Sequence, residues 1–212
     1  MRIAKTLIAL SLCAATQAAM AGPVAELKVS GKITPGACVP SFSDNGQVDY
    51  GELSHSDLNS DPTATTPLPT KNITFQIQCS SAIPIATTWV DNKPDSNDAP
   101  EHMYFFGLGK DAAGKPLGRV WVQHPGGRAQ GDGEHIDVIH SEDKQTWFRN
   151  SGGQVSKTLF TSFAAPGELV PKAFTTYSGT MQLKPTVVAT ETLDMSAAME
   201  IDASMTMEVN YL

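Results

Sequence analysis

The segment Met199–Leu212 reads MEIDASMTMEVNYL and alternates strictly between apolar and polar side chains as far as Tyr211. Successive side chains of a β-strand point to opposite faces of a sheet, so this period of two predicts a strand with one buried face. A slip of one residue would move every apolar side chain into water, and the register is therefore well specified. The predicted inward-facing residues are Met199, Ile201, Ala203, Met205, Met207, Val209 and Tyr211.

The same alternation recurs in shorter runs along the rest of the chain, whereas the 3.6-residue period of an amphipathic helix is nearly absent. Stretches rich in Gly, Pro and Asp separate these runs. Short strands joined by such turns predict an all-β, antiparallel sandwich, with a short helical turn favoured only at 191–199. The predicted strands lie at 25–33, 73–79, 83–89, 120–122, 136–139, 158–160, 177–183 and 199–211.

The first twenty-one residues have the pattern of an export signal. A positively charged start precedes a short apolar run at Leu7–Ala15, and Ala19–Ala21 has the small-x-small pattern of a cleavage site. The apolar run is much shorter than the roughly 20 residues that a transmembrane helix needs. We therefore predict a signal peptide at 1–21 and one domain at 22–212, with 191 residues and a formal net charge of −9.

The composition excludes some partners and indicates a redox compartment. A formal net charge of −7 for the whole chain, without a basic block, argues against nucleic acid and anionic membrane surfaces as partners. Cleavage would remove Cys13 and leave Cys38 and Cys79. Two cysteines in an exported chain predict one disulfide, and two free buried thiols are the alternative.

Both ends of the mature chain resemble subunits of chaperone–usher pili. Leu27–Cys38 is similar to their first strand, and Val48–Gly51 to a following short strand that ends in glycine. Ile73–Cys79 is similar to their second strand, which closes with the second cysteine, and the C-terminal segment has the penultimate Tyr211. The middle is similar to exported proteins of unassigned function encoded beside pilus chaperones and ushers, through Phe106–Gly109, Ser141–Trp147 and Met207–Leu212.

This resemblance implies an incomplete immunoglobulin-like sandwich that lacks its final strand, with Cys38–Cys79 joining the first two strands. In such subunits a strand of a periplasmic chaperone fills the groove, and a strand of a neighbouring subunit later replaces it. The implied partners are a periplasmic chaperone, an outer-membrane usher and other pilus subunits, and the implied location is the periplasm in transit, then the fimbrium or cell surface. The groove and chaperone contacts would be Met199, Ile201, Ala203, Met205, Met207, Val209, Tyr211 and the carboxylate of Leu212.

Two departures from the pilus pattern affect the implied role. Only the five residues Gly22–Glu26 precede Leu27, whereas a donor strand needs about a dozen residues. Met199 also stands where the family has a glycine. We therefore expect a structural or adhesive subunit of the tip or accessory kind. The alternative is a secreted or periplasmic carbohydrate-binding module that binds a host glycan or surface receptor through the region between Trp89 and Ser156.

No residue pattern favours an enzyme, a cofactor or a metal centre. The chain has no Gly-x-Ser-x-Gly nucleophile motif. His124, His135 and His140 lie near acidic residues, but His135 and His140 are five positions apart and would face opposite sides of one strand. We expect all three to be solvated loop histidines. Core packing is predicted for at least two of Trp89, Trp121 and Trp147, and a sugar-stacking surface is the alternative.

Overall fold

The computed structural model describes Lys28 and residues 37–212. Residues 37–212 lie within the compact unit Pro35–Leu212. The predicted signal peptide lies outside the described residues, and so does the predicted strand at 25–33, apart from Lys28.

The described part of the chain is all-β, and every pairing between its strands is antiparallel. This confirms the predicted antiparallel all-β class. Short 3₁₀ turns lie at Ser43–Gly46, His55–Asp57, Pro94–Ser96, Pro125–Gly127 and Thr190–Thr192. The strands are β1 (Cys38–Phe42), β2 (Thr66–Pro67), β3 (Lys71–Ile83), β4 (Ile85–Asp91), β5 (Phe105–Gly107), β6 (Gly118–Gln123), β7 (Arg128–Gly131), β8 (Glu134–Ser141), β9 (Phe148–Arg149), β10 (Phe160–Ala164), β11 (Phe174–Val187) and β12 (Met205–Tyr211).

One sheet connects these strands, and eight of them follow the order β1-β3-β11-β7-β8-β10-β4-β12. Off this path, β2 and β6 pair with β11, β5 pairs with β6, and β9 pairs with β8. The long strand β11 is its hub, because it pairs with β3 along one edge and with β7 and β6 along the other. The sheet curves until its two end strands, β1 and β12, approach each other, so that it is nearly closed.

The alternation in the sequence determines which side chains fill the interior. On β3, Ile73, Phe75 and Ile77 are buried, while the residues between them are exposed. Tyr177 and Met181 of β11 face the same interior. Burying one side of each strand is the main source of stability for such a sheet, at about 25 cal/mol for each Å² of apolar surface removed from water.

The structure differs from the sequence prediction in several segments. The strands β1, β2, β5, β7 and β9 lie outside the predicted runs, and the strand predicted at 158–160 begins only at Phe160. Val48–Gly51 forms no strand, although Val48 and Tyr50 pack against the core. The C-terminal strand begins at Met205 rather than Met199. In the region predicted to favour a helical turn, the only turn is the 3₁₀ turn Thr190–Thr192, at its start.

Candidate functional site

The two end strands of the sheet each have one edge without a strand partner among the described residues. β1 pairs with β3, from Cys38 opposite Cys79 to Phe42 opposite Phe75. β12 pairs with β4, from Met205 opposite Asp91 to Tyr211 opposite Ile85. Free strand edges carry rows of backbone donors and acceptors that can pair with another extended chain.

Contacts at both ends of β1 show that β1 and β12 run antiparallel and close to each other. The backbone N–H of Cys38 donates a hydrogen bond to the hydroxyl of Tyr211 at 2.9 Å. At the opposite end of β1, the ring of Phe42 lies 6.0 Å from the ring of Trp89, which pairs with Met207 of β12. A side chain therefore bridges the two strands at the Cys38 end, whereas a cavity lies at the Phe42 end.

This cavity at the Phe42 end of β1 has a volume of about 470 Å³, and we call it the edge groove. Phe42 of β1 and Ala203–Met205 at the start of β12 form its two walls. Its polar rim comes from Asn45 and Gln47, which follow β1. The apolar residues of its floor, from β3, β4, β6 and β11, are Ile73, Trp89, Val120, Val122, Met181 and Leu183.

The segment 199–204 leads into β12 along the groove without forming a ladder. Its backbone bonds to other parts of the chain: the N–H of Asp202 donates to the carbonyl of Leu108 at 2.8 Å, and the carbonyl of Ser204 accepts from Asn92 at 3.0 Å. An ion pair between Lys93 and Asp202 adds to this attachment. The irregular backbone explains why the strand begins six residues later than predicted.

The predicted groove residues face the core over most of the segment. Met207 is buried, with 9% of its surface exposed. Tyr211, in contrast, is 52% exposed and is held by its bond to Cys38, and Leu212 is also exposed. The half-buried residues that pack against the core are Met199, Ile201, Ala203, Met205 and Val209.

A disulfide joins Cys38 to Cys79, as predicted from the export signal and the cysteine count. The bond links the first residue of β1 to its partner position on β3. It therefore anchors one wall strand of the edge groove to the sheet.

Two of the three histidines that we expected to be solvated are buried, and that prediction is wrong for them. His124 is 2% exposed and His140 is fully buried, whereas His135 on the opposite face of β8 is exposed. Burial lowers the pKa of His140 to about 4. Burial, and then repulsion from His140, lowers the pKa of His124 to about 3. Both imidazoles are therefore neutral near pH 7.

Only one of the three tryptophans is a core residue, whereas at least two were predicted to be. Trp89 is 4% exposed and belongs to the core. Trp121 and Trp147 are half-buried. The stretch Ser141–Trp147 forms the loop between β8 and β9, where Asp143 accepts hydrogen bonds from the N–H groups of its own turn.

The described residues offer few sites for other chemistry. Within Lys28 and residues 37–212, no group of three or more His, Cys, Asp and Glu side chains could hold a metal ion. Over the same residues, no helix is long and apolar enough to cross a membrane.

Sequence reasoning missed the opposite wall of the groove and the buried histidine pair. Phe42 follows the short polar stretch of β1, and no periodic pattern marks it as a wall residue. His124 and His140 stand beside turn residues, Pro125-Gly126 and Ser141, that favour a loop assignment. Only the packing of distant strands brings these side chains inside.

Comparisons with known proteins give two matches. Residues 27–104 match the family described as "Protein of unknown function (DUF1120)". The chain is also 29% identical to "Protein GltF" of Escherichia coli (strain K12), over 98% of both chains. The chain is thus similar to GltF along nearly its whole length, and in its N-terminal part to a family whose description assigns no function.

Proposed function

We propose that this chain is an exported subunit of a chaperone–usher pilus, whose edge groove accepts an extended strand from a partner protein. The observation that carries the proposal is the pair of strand edges, on β1 and β12, that have no strand partner among the described residues, with an apolar groove at the Phe42 end of β1. In this interpretation the sheet is an immunoglobulin-like sandwich without its final strand. A strand placed between the two edges would complete it by strand addition.

The dimensions suit a strand of ordinary length. β12 has seven residues, which corresponds to about 24 Å of extended chain. An inserted strand would direct every second side chain towards the floor formed by Ile73, Trp89 and Met181. Four or five buried apolar side chains contribute on the order of 10 kcal/mol before the entropy costs of association. That gain exceeds what the backbone edge could supply without side-chain pockets.

The proposed partners are a periplasmic chaperone during transit, an outer-membrane usher and a neighbouring subunit in the fimbrium. Tyr211 and Leu212 are exposed at the end of β12, where a chaperone could contact them. The export pattern and the disulfide support passage through an oxidising compartment. The short segment before Leu27 favours a tip or accessory subunit rather than a repeating one.

Adjacent residues of β1 provide a matched test. The Phe42→Asp substitution places a charge in the groove wall, whereas Ser41→Asp places the same charge on the exposed face of the strand. The probe is a nine-residue peptide with Leu or Val at alternate positions and Lys or Ser between them. We expect Phe42→Asp to weaken peptide binding at least tenfold and Ser41→Asp to change it less than twofold.

Co-purification extends this test to a natural partner. The exported chain, co-expressed with a pilus chaperone, should form a complex that Phe42→Asp abolishes and Ser41→Asp preserves. Circular dichroism establishes that each variant is folded. A folded wild-type chain that binds neither peptide nor chaperone, or equal losses in both variants, would contradict the proposal.

A carbohydrate-binding module remains a second candidate because of one half-buried aromatic cluster. The rings of Phe105 and Trp121 lie 6.4 Å apart on neighbouring strands, and Arg119 lies over Phe105 at 4.9 Å. Flat aromatic faces stack on sugar rings. Binding on a glycan array that is lost in Trp121→Ala and kept in Trp147→Ala would support this candidate, and an empty array would exclude it.

A further inference from the structure

Two buried histidines, His124 after β6 and His140 on β8, lie among core side chains of the sheet. The imidazole of His124 packs edge-on against Phe75 and Phe163, at ring distances of 5.2 and 6.3 Å. His140 lies near the hydroxyl of Thr161, with 3.4 Å between the closest atoms. Nδ1 of His124 and Nε2 of His140 are buried and have no hydrogen-bond partner within the described part of the chain. If either of these nitrogens were protonated, its N–H would have no acceptor among the described residues.

The surroundings of the pair contain no compensating charge. Asp111 is the only buried carboxylate among the described residues. It accepts hydrogen bonds from the N–H groups of Ala113, Lys115 and Asp194 rather than from a histidine. The nearby titratable group of the core is Tyr177, and burial raises its pKa to about 12, so it stays neutral. The charged side chains of the neighbouring elements lie at exposed or half-buried positions: Lys71, Asp91, Arg119, Arg128, Glu134, His135, Asp137, Glu142, Asp143, Lys144, Arg149, Lys184 and Glu208.

Packing connects each histidine to β1 or β12, the two strands that flank the edge groove. Phe75, which contacts His124, is the partner of Phe42 in the ladder between β3 and β1. In the strand pairing, His140 is opposite Thr161 of β10, and Thr161 is opposite Thr87 of β4. Thr87 is in turn opposite Val209 of β12. A disturbance of the histidine pair therefore reaches both strands that would hold an inserted strand.

We propose that His124 and His140 form an acid-sensitive lock on the edge groove, so that protonation of the pair loosens β1 and β12 and releases a bound strand. The release of a bound strand rests on the proposed strand-accepting function. The loosening of β1 and β12 by protonation, which we call the lock, does not depend on that function. A charged imidazole without a partner is strongly disfavoured in an apolar interior, so the proton is taken up by conformations in which the ring reaches water.

The direction of the effect follows from the two protonation equilibria. In open conformations each imidazole titrates near its ordinary pKa of about 6.5. In the closed fold the pKa of His140 is about 4 and that of His124 about 3. The stabilising contribution is therefore complete above about pH 6.5 and is lost as the pH falls towards these lower values. Each histidine shifts the equilibrium about 30-fold between pH 7.5 and pH 5, and both together roughly 1,000-fold.

Urea unfolding at pH 7.5 and pH 5.0 tests the lock on the exported chain. His124→Phe and His140→Gln each remove one buried imidazole. His135→Gln is the control, because it removes the exposed histidine of β8, the strand that also contains His140. We expect the folding equilibrium constant of the wild type and of His135→Gln to fall roughly 1,000-fold between the two pH values. Each single core variant should fall only about 30-fold. Equal pH dependence in all four proteins would overturn the lock.

Nuclear magnetic resonance keeps the test decisive if a core variant does not fold. In the wild type, the ring protons of His124 and His140 should not shift between pH 7.5 and pH 5.0 while the protein is folded. A folded protein in which either core ring titrates near pH 6.5 would overturn the lock.

Peptide binding separates the lock from the proposed function. The nine-residue alternating peptide should bind at pH 7.5, and its affinity should fall at least tenfold at pH 5.0 in the wild type and less in His124→Phe. Absence of binding at pH 7.5 would count against the groove function, while the unfolding and titration series would still decide the lock. Binding of equal strength at both pH values would overturn the coupling.

Discussion

Loss of the disulfide should destabilise the domain by an amount that follows from the length of the loop it closes. Cys38 and Cys79 are 41 residues apart in the sequence. In the chain-entropy model, closing a loop of that length restricts the unfolded chain by about 4 kcal/mol at 25 °C. The double substitution Cys38→Ala/Cys79→Ala should lower the free energy of unfolding by about that amount.

The same change should weaken the edge groove. β1 is only five residues long and pairs with β3 alone among the described strands, so the disulfide is its covalent attachment to the sheet. Without it, β1 is held by its ladder and by contacts such as the bond from Cys38 to Tyr211. Peptide affinity should therefore fall together with stability.

Urea denaturation of the oxidised wild type, the reduced wild type and the double alanine variant measures this effect. Reduction leaves the two thiols in place, so agreement between the last two proteins assigns the loss to loop closure rather than to side-chain packing. A difference of less than about 1 kcal/mol between the oxidised and reduced wild type would refute the reasoning from loop length.

Three further substitutions test the packing, each by urea denaturation. Tyr177→Phe should cost about 2 kcal/mol, because the buried hydroxyl accepts the N–H of Phe174 at 3.1 Å and donates to a backbone carbonyl; a neutral result would contradict that network. Met207→Ala should cost about 2–5 kcal/mol and Glu208→Ala less than about 0.5, since only Met207 faces the core; similar costs would mean that the register of β12 is different. Gly118→Ala should cost more than about 2 kcal/mol, because Gly118 has a φ of +154° and a Cβ there would meet the carbonyl of Thr186; a tolerated alanine would exclude this backbone conformation.

The sequence allowed the fold class to be predicted because alternation is a local property. The strand β3 and the central part of β11 follow from the period of two in their own residues. The C-terminal segment shows the limit of that reasoning. Met199, Ile201 and Ala203 face the core as predicted, yet backbone hydrogen bonds to the carbonyl of Leu108 and from the N–H of Asn92 replace the ladder there.

The candidate site was predictable on one wall and not on the other. The apolar face of β12 is evident in the sequence, but the position of β1 beside it depends on the order of the strands in the sheet. The burial of His124 also depends on distant residues, because its contacts Phe75 and Phe163 come from strands far away in the chain. Local polar neighbours therefore gave the wrong environment for this side chain.

Amide hydrogen exchange at the two free strands tests the central claim most directly. The chain is measured alone and with the nine-residue alternating peptide at pH 7.5, and exchange is followed at Val39–Phe42 and Met205–Tyr211. An inserted strand supplies new backbone partners to both edges, so protection should rise in both segments and stay unchanged on β8. Peptide binding without added protection in either segment would contradict the account, because the ligand would then lie outside the edge groove.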